Sequence, residues 1–134
     1  MEVKKKAFYQ SEIRGTLIIS SNTKTIGSSA FFKCINSDTV IFKEGLSQIW
    51  AFAFAELKFD CPLTIPSSVA TTGKNAFENC NCLKELVIKG DGDSLTIRSN
   101  EFHNCMIEGD LIIPQRVNCQ SELMHFLDPL SKVH

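Results

Sequence analysis

The sequence predicts an α/β solenoid, a stack of about five 23-residue repeats sharing one parallel sheet. Two observations carry the prediction. Phe8, Phe31, Phe54, Phe77 and Phe102 stand 23, 23, 23 and 25 residues apart. Other columns keep the same steps: Leu17, Val40, Leu63, Leu86 and Leu111, and two residues later Ile19, Phe42, Ile65, Ile88 and Ile113. A fixed period in this range marks stacked supersecondary units. The long step coincides with GDGDS at 90–94, which reads as a two-residue insertion in a turn.

Each element follows from one repeat. In residues 63–82, Leu63-Thr64-Ile65 alternates as a short strand does, with Leu63 and Ile65 on one face and Thr64 on the other. Pro66 has no N–H to donate and ends the strand. Gly73 lets the chain turn again. Ala76, Phe77 and Cys80 then fall on one side of a short helical turn. One such unit cannot bury its own apolar face, so units must stack. Parallel strands are expected near 16–19, 39–42, 62–65, 85–88 and 110–113, with the phenylalanines piled inside.

Three columns contain departures. Thr72 stands among Ile26, Ile49 and Ile97; Glu101 follows Ala30, Ala53 and Ala76; Trp50 stands at a glycine position. Val3, Ala7 and Phe8 match Ile26, Ala30 and Phe31, so the sequence reads as starting in mid-repeat. Val3 and Phe8 are expected to cover the first rung, or that edge to meet another chain. After Val117 the pattern decays. Residues 121–129, SELMHFLDP, read as a short capping helix with Ser121 as N-cap and Pro129 as its stop. The expected division is a solenoid over 1–120 and a C-terminal cap over 121–134.

The motif L-x-I-P-x-S-V-x-x-x-G-x-x-A-F-x-x-C, complete at 63–80 and nearly so at 17–34, resembles the BspA-like leucine-rich repeat. The resemblance spans about residues 3–118. It implies a leucine-rich-repeat binding scaffold, in a family that includes many cell-surface adhesion proteins, and it supplies no catalytic residues.

Composition narrows function by exclusion. A net charge of −1 favours neither nucleic acid nor an anionic membrane. Residues 1–58 carry +3 and residues 59–134 carry −4, a mild asymmetry that reads as solvated surface. No apolar run approaches the roughly 20 residues of a membrane helix. Lys4, Lys5 and Lys6 are not followed by an apolar signal-peptide segment. That leans toward the cytoplasm, whereas the resemblance leans toward the cell surface.

Cys34, Cys80 and Cys105 occupy an interior column, and buried free thiols are the expected state of all six cysteines. Cys80 and Cys105 lie on adjacent rungs, within geometric reach of a disulfide; Cys34 and Cys80 do not. Cys80-Asn81-Cys82 lacks the second pair that a zinc site needs. Asp91 and Asp93 begin a calcium-like loop whose twelfth position is Phe102. His103, His125 and His134 have no nucleophile pattern beside them. No enzyme, metal or cofactor is therefore expected.

What remains is the outward column of the strands: Ile18, Ile41, Thr64, Val87 and Ile112. Branched residues favour strands in any case, but a contiguous apolar stripe on an exposed sheet face also marks interaction sites. The expected binding residues are these five with a rim of Lys43, Glu85, Lys89 and Asp110. Lys74 and Asn75 are expected on the opposite surface. The expected partner is a protein, for adhesion or interaction. The alternative is an intracellular structural subunit docking on a larger protein or ribonucleoprotein assembly.

Overall fold

A computed structural model describes residues 1–81, 83–89, 100–113 and 132–133. Ten parallel-paired strands form three stacks. β1 (Glu2–Val3), β3 (Thr25–Ile26), β5 (Gln48–Ile49) and β7 (Thr71–Thr72) make one. β2 (Glu12–Ile19) and β4 (Ile35–Phe42) make the second. β6 (Leu63–Ile65), β8 (Leu86–Ile88), β9 (Asp110–Ile112) and β10 (Lys132–Val133) make the third. Registers run Leu17↔Val40, Leu63↔Leu86 and Leu86↔Leu111, the columns read from the sequence.

The strand wall that was expected as one sheet is two, with no ladder between β4 and β6. Pro66 removes one of its bonds. It stands one period after Lys43 and one before Lys89, whose N–H groups bind the Ile19 and Ile65 carbonyls of the preceding coils at 3.0 Å, and proline has no N–H to give Phe42. The first two strands are also longer than expected. Over Glu12–Ile19 exposed and inward residues alternate strictly, which sustains a strand for eight residues. In the later coils Phe59, Leu83 and Ile107 turn into the core just before the strand, and the strand shortens to three residues. β10 adds a rung that sequence reading had placed within the cap.

The segments around the phenylalanines are turns, and the described residues contain no helix. Ala30, Phe32 and Cys34 donate their N–H groups three residues back, to the carbonyls of Gly27, Ser29 and Phe31. The amides between them, of Ser29, Phe31 and Lys33, donate instead to Ala51, Ala53 and Ala55 of the next coil at 3.0, 2.8 and 3.1 Å. A helix would use every amide within itself. Here half of them bind the neighbouring coil. The geometry places left-handed residues four apart: Lys6 and Gln10, Ser29 and Lys33, Phe52 and Glu56, Asn75 and Asn79. Asparagine tolerates this conformation best, which accounts for Asn75, Asn79 and Asn104. Asn75 is buried, not exposed as expected; Lys74 beside it is exposed.

Inside, the phenylalanine rings lie nearly parallel. Centroids of Phe8, Phe31, Phe54, Phe77 and Phe102 are 5.1, 5.1, 5.5 and 5.1 Å apart in succession. Phe8 stacks on Phe31 yet stays 42% exposed, and half-buried Val3 packs against the same core. The cysteine column has a polar use. The Cys80 and Cys105 thiols donate to the Phe54 and Phe77 carbonyls of the preceding coil at 3.1 and 2.8 Å, and Cys34 likewise to Phe8. Cys34, Cys61, Cys80 and Cys105 are all free thiols. The two interior departures form a pair: buried Thr72 donates its hydroxyl to the Glu101 carboxylate, which is wholly buried. The turn insertion at 90–94, Cys82, Asp91, Asp93, Ile97, Val117, Cys119, the capping helix at 121–129, His125 and His134 lie outside the described residues.

Three outcomes follow from this packing. Phe77→Ala is expected to lower unfolding free energy by about 3–5 kcal/mol in a denaturant titration, the usual cost of deleting a buried ring. A loss below 1 kcal/mol would mean the rings are not mutually supporting. Thr72→Ile alone should cost about 1–3 kcal/mol by removing a hydroxyl donor from the buried Glu101 carboxylate, while Thr72→Ile with Glu101→Ala should recover most of it. Additive losses in that cycle would refute the pairing. Burial raises the Cys34 and Cys61 thiols above their ordinary value of 9.0, and burial beside Cys105 raises Cys80 well above it. As pH rises past that value the unfolded chain loses these protons first. The folded state then binds more protons, and stability falls. Melting temperature should therefore drop between about pH 8 and pH 10, less steeply in Cys80→Ala. A flat profile would contradict the burial of these thiols.

Candidate functional site

The strand walls present the outward column expected from alternation. Ile18 lies opposite Ile41 across β2 and β4; Thr64 lies opposite Val87, and Val87 opposite Ile112, across β6, β8 and β9. Ile18, Ile41 and Ile112 are 53%, 37% and 40% exposed, while Thr64 and Val87 are half-buried. Pairing brings these residues together as two groups, Ile18 with Ile41 and Thr64 with Val87 and Ile112, at the break between β4 and β6.

The rim has a polarity that the sequence reading did not extract. Glu85 and Asp110 lie at the starts of their strands and are half-buried. Lys43 and Lys89 follow the ends of theirs and are exposed. The face is thus acidic along one margin and basic along the other. Two cross-coil clasps stiffen the surface near it. The Glu44 carboxylate accepts hydrogen bonds from the Ser67 and Ser68 backbone amides and the Ser67 hydroxyl, at 3.0–3.2 Å. Some desolvation opposes its ionisation, but these bonds prevail and hold it below the usual carboxylate range. Lys84 bridges Asp60 and Glu108 on the coils either side, at 3.1 and 2.6 Å.

Two grooves lie away from this face. The larger, about 750 Å³, is lined by Glu56, Leu57, Lys58, Asn79, Asn81 and Met106, where turns pass into strand entries. The smaller, about 390 Å³, runs along the short strands under Trp50. Neither contains any residue of the outward column. A third feature is an aromatic pair outside the core: Tyr9 stacks on Phe32 at 5.2 Å, with Lys6 over one ring and Lys33 over the other. The columns held the signal for this pair, since Tyr9 and Phe32 each follow a core phenylalanine.

Among the described residues no three His, Cys, Asp or Glu side chains gather as a metal site. Nor is any described helix long and apolar enough to cross a membrane.

Comparison with known proteins agrees with this geometry. No curated protein matches the chain. Among solved structures, a leucine-rich cell-surface protein from Faecalibacterium prausnitzii superposes with a TM-score of 0.61 over 85% of this chain, at 20% identity. The chain spans 33% of that protein's length, and the likeness is one of fold. The BspA-type leucine-rich repeat region, in six copies, matches residues 1–123. With nearly the whole sequence inside that match, the chain belongs to the BspA-type leucine-rich-repeat family.

Proposed function

We propose that this chain is a non-enzymatic protein-binding module, for adhesion or interaction, and that it binds through the outward face of its longer strands. The observation that supports the reading is the exposure of Ile18, Ile41 and Ile112 on a rigid, hydrogen-bonded wall. Three branched aliphatic side chains held in water are costly unless something covers them. The family supports the general role, since such repeats serve as interaction modules. An apolar centre with a charged rim is how protein interfaces are usually built. The acidic and basic margins would orient a partner carrying the opposite arrangement, an effect on encounter more than on affinity. Phe8, 42% exposed on the rung of β1, offers a second route of association there.

The test uses point charges that folding should tolerate. Ile41→Glu and Val87→Lys are each expected to weaken capture of the partner by about 1–3 kcal/mol if they fall in a hot spot. Lys74→Glu, on the turn side, should leave capture unchanged. Captures from surface and soluble fractions, run in parallel with all three variants and with folding verified by circular dichroism, decide the matter. Equal recovery by wild type and both strand-face variants would remove the face from consideration.

A further inference from the structure

The groove along the short strands does not belong to that face, and its chemistry differs. Its wall is the stack β1, β3 and β5, where Glu2, Thr25 and Gln48 stand in register on successive coils. Adjacent parallel strands lie about 4.8 Å apart. The three side chains therefore form a ledge of hydrogen-bonding groups at nearly the width of one sugar ring. Lys5 and Ser28 border the same groove, and Trp50 overhangs it with 52% of its surface exposed.

Trp50 stands between Gly27 and Gly73 in a column that also holds Lys4 and Arg98. At Gly27 an added Cβ would come within 2.5 Å of the Lys5 amide nitrogen, and at Gly73 within 2.4 Å of the Ala51 nitrogen. Coils approach so closely here that glycine is the structural solution in the rungs on either side. The chain nevertheless carries its one tryptophan at this point, with the indole over solvent. Nothing in the core gains from it, because the phenylalanine stack passes elsewhere. A large aromatic ring flanked by glycine rungs, left half in water and lining a polar groove, is placed for contact with a ligand.

The surroundings specify the ligand. An apolar peptide side chain would find only one apolar surface, the indole. The other lining side chains offer an amide, hydroxyls, an ammonium and a carboxylate. A pyranose matches this mixture: its C–H face packs on an aromatic ring, while its hydroxyls exchange hydrogen bonds with planar polar groups. Lys4 already holds the Glu2 carboxylate at 2.8 Å, and the Lys5 ammonium can donate to a sugar hydroxyl, so a neutral sugar meets the groove's remaining groups. We propose that this groove is a saccharide-binding site, with a neutral pyranose stacked on Trp50 and hydrogen-bonded by Gln48, Thr25 and Lys5. An open groove of this size implies weak single-site binding, with Kd roughly in the 0.1–10 mM range.

Because Trp50 is the only tryptophan, intrinsic emission reports on this site alone. Titrating the full chain with glucose, galactose, mannose, N-acetylglucosamine and the trisaccharides cellotriose and chitotriose should give, for at least one of them, a saturable change in emission. Gln48→Ala and Thr25→Val should each weaken that response about fivefold to tenfold, with folding intact because both side chains face outward. Trp50→Gly removes the indole, matches the flanking rungs and should abolish binding followed by calorimetry. Ile41→Glu, on the strand face, should bind the sugar as wild type does, so the two sites stand or fall separately. A flat emission trace with every probe would overturn the proposal. So would a saturable response unaffected by Gln48→Ala and Thr25→Val, which would place the sugar elsewhere.

Discussion

The pitch of the solenoid is set where the phenylalanine rings meet. Their centroids repeat at 5.1–5.5 Å with interplanar angles of 3–10°. Parallel strands need about 4.8 Å between neighbours, so offset-stacked rings and backbone ladders ask for nearly the same translation. That agreement makes the coil a consistent object: aromatic contact, strand pairing and the turn amides that bind the next coil all favour one rise. Phe42 tilts against both Phe54 and Phe77, tying the strand wall to the stack. The constraint also accounts for the conserved step of 23. A coil with extra residues must place them outside the stack, and the longer spacing between Phe77 and Phe102 still leaves those rings 5.1 Å apart.

Much of this was legible because a period is a long-range signal that needs no knowledge of local conformation. Columns at the period predicted the parallel register, and alternation predicted which strand residues face out. What the sequence concealed was local and mutual. The turns resembled helix because Ala-Phe-x-x-Cys spacing places apolar groups on one side in either conformation. Only the sharing of amides between coils distinguishes them, and a single repeat carries no trace of its neighbour. Between β4 and β6 the N–H that Lys43 and Lys89 supply to their neighbouring coils is missing at Pro66, visible in the sequence but meaningful only once Phe42 is known to lie below it.

Departures from the columns carry two kinds of information, sorted by the direction in which the side chain points. Thr72 and Glu101 both point inward, polar groups in columns that are otherwise apolar. Together they form a hydrogen bond between successive coils and leave the packing closed. Such a pair is a local solution to a local problem and implies nothing about ligands. Sequence reading met these two residues as separate anomalies, because they stand 29 residues apart on successive coils and touch only after coiling.

Trp50 points outward, and no second substitution inside answers it. The interior of a stacked repeat is dictated by its neighbours, so almost all freedom to vary lies on the outer surface. The same regular rise then converts each outward column into a row of evenly spaced groups. One row here is aliphatic and lies on the long strands; another is polar, lies on the short strands and ends under an indole. Apolar rows suit flat protein surfaces, and polar rows with one aromatic suit small hydroxylated ligands. A single scaffold can hold both because neither row draws on the core that fixes the coil. Changes in one leave the phenylalanine stack, and therefore the other, in place.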